Sequence, residues 1–237
     1  MRSYDPVNEP RPVSPDRPRL ALAATLVLVA SALAAVVALG DRPVPRRREP
    51  GPRTRAAVAL RDHVIPFQKW GTKLFTVPHL EEGYDHVAYL TQASPGDRRP
   101  EMVAALEQAL ARYDDVDLFL LAHGNRFVEW VEAIDPALRA KLRLVYNTGC
   151  GGARQAEEWL AVGADVYVGH PAIQSISPAF YLFFLRRWVR GWPLAESVEA
   201  ANRSAARRLA WFGMAGGIFD AGAVIVGRAD LWLGGGP

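Results

Sequence analysis

The chain has 237 residues, 50% of them hydrophobic and 22% charged, with a formal net charge of +3; this suits one domain with a sizeable core plus appendages. Its basic character is almost all arginine, since Lys69, Lys73 and Lys141 are the only lysines. Much of that arginine flanks an apolar stretch in the first 60 residues instead of forming a stripe with interleaved aromatics, which speaks for a juxtamembrane segment and against nucleic-acid binding. The single cysteine, Cys150, excludes an intramolecular disulfide and a cysteine-based zinc site.

In chain order, residues 1–19 are rich in proline and arginine without a hydrophobic period, as in a disordered arm. Residues 20–39 (LALAATLVLVASALAAVVAL) contain no charge. At about 1.5 Å per residue they span a hydrocarbon core of about 30 Å, and the run is longer than the apolar region of a cleavable signal peptide. The expectation is a transmembrane helix over residues 20–40 and a single-pass membrane protein. Arg2, Arg11, Arg17 and Arg19 precede it, against Arg42, Arg46, Arg47, Arg48, Arg53 and Arg55 after it. The positive-inside rule then puts the following domain in the cytoplasm, where a free thiol stays reduced.

Residues 41–56 read as an Arg/Pro linker, with ordered structure beginning near Val58 and one domain over residues 57–237. Segments 85–91 (DHVAYLT), 116–122 (VDLFLLA), 142–147 (LRLVYN), 166–169 (VYVG) and 223–226 read as strands. Residues 100–113 have apolar positions at helical spacing and open on a proline, and 127–142 read as mainly helical despite Pro136. Helices are also expected over 153–162, closed by Gly163, and over 178–190 and 194–211. Strands alternating with helices imply a three-layer α/β/α sandwich with a mostly parallel sheet, preceded by the transmembrane helix.

In parallel α/β sheets, sites form outside the carboxyl ends of the strands. His123-Gly124 follows the 116–122 run, Thr148-Gly149-Cys150-Gly151-Gly152 follows LRLVYN, and His170-Pro171 follows VYVG. A histidine and the only cysteine thus meet at one sheet edge. A thiolate attacks acyl carbon far better than a thiol, and an adjacent imidazole takes its proton. The cysteine loop also opens a helix, whose amides would favour the thiolate. Backbone N–H groups of Gly124 and Cys150 are then the expected oxyanion donors. No metal or other cofactor is expected: His79, Glu81, Glu82, Asp85 and His86 match no ligand spacing and read as a solvated loop. No G-x-S-x-G motif and no phosphate-binding glycine loop occur.

An apolar strand ending in His-Gly, followed by one ending in a small residue and Cys, resembles the caspase-like (clan CD) cysteine peptidases. AEEWLAVGADVYVGHP and then AFYLFFLRRWVRGWPLAESVEAAN look like the tail of CHAT-type and gingipain-like members. The resemblance covers residues 117–202, about a third of the chain. It implies a caspase-like fold, His123 as general base or acid, Cys150 as nucleophile of a thioester acyl-enzyme, and a peptide or protein substrate. It also implies that His170, Gln174 and Ser175, which follow the VYVG strand, line the substrate pocket. Thr148-Gly149 stands where caspases carry Gln-Ala, and only 27 positions separate His123 from Cys150. The competing expectation is a catalytically inactive caspase-like domain, tethered to the membrane as a protein-interaction module.

Overall fold

The computed structural model describes residues 44–49, 51–61, 66–91, 99–121, 127–172, 177–211 and 222–235. By its contacts the chain divides into Met1–Gly40 and Asp41–Pro237, and every described residue belongs to the second unit. The arm at 1–19 and the transmembrane expectation for 20–40 lie outside the described residues, among which no helix is long and apolar enough to cross a membrane.

The elements in order are β1 (Arg55–Arg61), α1 (Pro66–Gly83), β2 (His86–Thr91), α2 (Arg99–Arg112), β3 (Asp115–Leu121), α3 (Phe127–Glu132), α4 (Pro136–Arg139) and β4 (Leu142–Asn147). A 3₁₀ turn (Gly152–Gln155), α5 (Ala156–Ala161), β5 (Val166–Gly169), α6 (Ser177–Trp188), α7 (Leu194–Trp211) and β6 (Val224–Gly227) complete it. The strands form one six-stranded sheet in the order β2-β1-β3-β4-β5-β6. Neighbours from β2 to β5 run parallel, and β6 runs antiparallel to β5.

Every position of β1, β3, β4 and β5 is buried, which explains their near-continuous apolar runs: such strands are covered on both faces. On one face, Val58, Leu118 and Val145 pack in a single cluster with Leu106 of α2, Val128 of α3 and Trp159 of α5. On the other, Phe119 meets Tyr84 and Tyr181 edge-on, and Tyr146 meets Tyr181 and Phe184 of α6. The α/β class and mostly parallel sheet are therefore as expected from the sequence, with helices on both faces.

Two differences bear on the domain's limits. β1 starts at Arg55, inside the expected linker, and occupies the sheet between β2 and β3. Residues 44–49 also pack onto the α6–α7 connection instead of spanning free solvent. Val44 is buried, the Arg47 amide donates to the Arg190 carbonyl (2.9 Å), and Trp192 Nε1 donates to the Pro45 carbonyl (2.9 Å). Arg47 pairs with Glu196 at 2.5 Å while its guanidinium lies 3.8 Å over the Trp192 ring. Arginines on a proline-rich stretch look solvated in sequence, yet here they supply the docking contacts.

Candidate active site around Cys150

The strand register sets the geometry of the edge. Leu60, Leu120, Asn147 and Gly169 form a row across β1, β3, β4 and β5. β3 and β4 are adjacent and parallel, so the chain leaves both at the same edge. His123 follows two positions after the end of β3, and Cys150 three after the end of β4. His123, Gly124, Gln174 and Ser175 lie outside the described residues.

The cysteine turn is built from its own polar residues. Thr148 donates to the Leu120 carbonyl through its amide (2.9 Å) and its hydroxyl (3.1 Å), pinning the exit of β4 to β3. The Tyr181 hydroxyl donates to the same carbonyl at 2.7 Å. Asn147 Oδ1 accepts from the Gly149 amide at 2.8 Å, the short-range side-chain bond by which Asn shapes turns. Gly151 then takes φ 65°, in the left-handed region, with open space where a Cβ would stand. Cys150 sits at the crest of this turn, with its side chain exposed.

The amides around the thiol are almost all engaged. Gly151 donates to the Ala172 carbonyl (2.8 Å), Gly152 to Gly149 (3.2 Å) and Ala153 to His170 (3.1 Å). Among the described residues, Cys150 is the position from 149 to 153 whose N–H has no acceptor. This corrects the expectation of free helix amides behind the thiol. The stretch that follows begins as a four-residue 3₁₀ turn, and its first N–H groups are already used.

His170 is fully buried beneath the turn. Its ring stacks on Tyr146 (centroids 5.9 Å apart), meets Phe180 edge-on, and has Nε2 at 3.5 Å from the Tyr146 hydroxyl. Burial raises the Tyr146 pKa, so that hydroxyl stays protonated and can donate to the imidazole. His170 therefore supports the edge from below, through its ring and through its carbonyl to Ala153.

Four residues escaped the sequence reading. Asn147 and Thr148 continue an apolar strand with polar groups, which is the one signal that marked them. Tyr167 reads as a core residue of VYVG, yet its hydroxyl donates to the Gly152 carbonyl at 2.7 Å. Arg61 ends β1 at the same edge and is buried, with Nε lacking a partner among the described residues. Near it the buried Tyr89 hydroxyl also lacks one, and burial pushes the Tyr89 pKa up to about 12, partly offset by Arg61.

The opposite edge holds a cavity of about 150 Å³ lined by Arg53, Asp114, Asp115, Lys141, Arg143, Asp165 and Arg228 among others. Its arginines are matched: Arg53 with Asp115 (2.8 Å), Arg143 with Asp117 (2.6 Å) and Arg228 with Asp165 (3.4 Å). Asp117 and Asp165 thus stand at the end of the sheet remote from Cys150, as their positions in sequence require. Among the described residues no three His, Cys, Asp or Glu side chains are grouped to hold a metal ion; His79, Glu81 and Glu82 lie on α1, and His86 stacks on Tyr113. No protein-family model matches the sequence, and no curated protein compared with it matches either.

Proposed function

We propose that the chain is a membrane-anchored, caspase-like cysteine endopeptidase in which His123 and Cys150 form the catalytic dyad. The observation that carries this reading is the exposed Cys150 at the carboxyl edge of a parallel sheet, one strand from the end of β3, with no acceptor for its own amide among the described residues. Exposure lets a substrate reach the thiol, and a free amide on the nucleophile's own residue is the usual form of an oxyanion donor.

In this mechanism His123 accepts the thiol proton as Cys150 Sγ attacks the scissile carbonyl carbon. The carbonyl oxygen becomes an oxyanion, held by the N–H groups of Cys150 and Gly124. Collapse expels the amine, which takes the proton from His123, and leaves a thioester on Cys150. Water, deprotonated by the same histidine, then hydrolyses the thioester and frees the thiol. Residues 20–40 anchor the domain in the membrane, with the arginines that follow on the cytoplasmic side.

The test is the iodoacetamide alkylation rate of Cys150 against pH in the full chain in detergent, where it is the only thiol. A dyad gives a thiol reactive well below its reference pKa of about 8.5, and His123→Ala removes that reactivity. A peptide-library assay with Cys150→Ala as blank then identifies the scissile residue. A thiol indifferent to His123 overturns the peptidase reading and leaves the interaction module. Digestion of the domain by protease added outside intact cells would overturn the orientation.

A further inference from the structure

The two ends of the Cys150 turn are held by two buried side chains from different strands. At one end Asn147, the last residue of β4, accepts from the Gly149 amide through Oδ1 at 2.8 Å. At the other end Tyr167, in β5, donates its hydroxyl to the Gly152 carbonyl at 2.7 Å. Asn147 is 1% exposed and Tyr167 0%. The remaining half of the Asn147 amide, Nδ2, is buried and faces the Tyr167 hydroxyl, which links the two side chains. Both groups converge on Gly152: a Cβ there would lie 3.2 Å from Asn147 Nδ2 and 3.3 Å from Tyr167 Oη. Glycine at this position therefore lets the two side chains close on each other beneath the turn.

Burying polar side chains is costly, and a core built for stability alone would place an apolar side chain at the end of β4. A polar pair gripping residues 149 and 152 fixes the two positions that flank Cys150 and Gly151, and nothing further along the turn. Tyr167 is itself braced by stacking on Trp159, with centroids 6.3 Å apart, so the grip is referred back to the core. We infer that Asn147 and Tyr167 are positioning residues: they clamp the turn so that the Cys150 thiol and amide face the substrate together. The inference rests on the peptidase reading of Cys150, but the clamp acts on the thiol directly and can be measured without a substrate.

The experiment compares the full chain with Tyr167→Phe and Gly152→Ala, measuring the pH profile of Cys150 alkylation and the thermal midpoint. Tyr167→Phe removes one hydroxyl from a filled site, and Gly152→Ala wedges the clamp open with every polar group kept. Loss of one buried hydrogen bond predicts an alkylation rate at pH 7 lower by about five- to tenfold, with a displaced pH midpoint that simple loosening of the fold would not give. Two folded variants with the wild-type profile overturn the clamp. If Tyr167→Phe does not fold, Gly152→Ala decides alone, since its one added methyl meets only the ends of the Asn147 and Tyr167 side chains, at 3.2–3.4 Å. His123→Ala run in parallel separates the two ideas. A rate lowered by the clamp variants and untouched by His123→Ala sinks the peptidase reading and leaves the clamp standing; the reverse pattern sinks only the clamp.

Discussion

Replacing Asp117 by Asn should destabilise the domain severely while leaving the chemistry of Cys150 unchanged. Asp117 has no exposed surface, and its carboxylate accepts from Arg143 Nε (2.9 Å), Arg143 Nη2 (2.6 Å) and the Tyr84 hydroxyl (2.5 Å). Tyr84 accepts in turn from Trp188 Nε1 at 2.8 Å. The pairing depends on an irregularity between β3 and β4. Val116 faces Leu142 and Asp117 faces Leu144, so Arg143 is the extra residue of a bulge and can turn toward Asp117. Burial disfavours the Arg143 cation, but Asp117 more than offsets this and holds its pKa above the ordinary value. Asp117→Asn leaves the guanidinium buried, with Asp115 at 3.5 Å as its nearest carboxylate. Losing one partner of such a pair costs about 3–5 kcal/mol, against a total stability of about 5–15 kcal/mol. Chemical denaturation of Asp41–Pro237, followed by tryptophan fluorescence, measures the loss. The double variant Asp117→Leu/Arg143→Met should recover most of it, because both charges leave together. A loss below about 1 kcal/mol, or a double variant no better than Asp117→Asn, would refute the reasoning.

Arg61→Met should raise the stability by on the order of 1 kcal/mol, read as a higher thermal midpoint, since it removes a buried guanidinium that has no ion pair among the described residues; a lower midpoint would show that Arg61 is compensated. His79 should make stability fall with acid. Its pKa is lowered mainly by burial and further by Arg186 and Arg190, against the opposing pull of Glu82. The folded state therefore binds this proton less readily than the unfolded chain. The stability is complete above about pH 6.5 and is lost as pH falls below that value through the lower folded pKa. His79→Gln should shrink the drop in thermal midpoint between pH 7.5 and pH 5.5, and an unchanged drop would count against the assignment.

The sheet was legible where a strand is an unbroken apolar run, as in β3, β4 and β5, because burial on both faces leaves no alternation to decode. β1 was hidden by its ends: Arg55 and Arg61 are both buried, and arginine in sequence reads as surface. α1 was hidden by Gly71 and Pro78 within its span. The expected helix over 127–142 is broken at Asp135, whose Oδ1 accepts from the Ala137 amide (2.8 Å) and starts α4 afresh at Pro136. The cysteine and its place at a strand end were legible because the rule of carboxyl-end sites needs only strand order. Tyr167 was not, because its role depends on the register between β4 and β5, and no local pattern encodes which backbone carbonyl a core tyrosine will reach.

The cavity at the amino end of the sheet is matched in charge within the chain, whereas buried polar groups without a hydrogen bond occur at both ends. At the amino end the arginines lining the cavity each meet a carboxylate, so the charges there are matched within the chain. Buried polar groups without a hydrogen-bond partner among the described residues stand at both ends: the Tyr89 hydroxyl and Arg61 Nε toward the carboxyl end, and Arg55 Nε and Nη1 at the amino end. Each unsatisfied buried polar group costs about 1–3 kcal/mol, so neither end is built for stability alone. The matched charges of that cavity bear on Asp117: its network lies there, at the end of the sheet remote from Cys150, which is why its loss should unfold the domain before it alters the thiol.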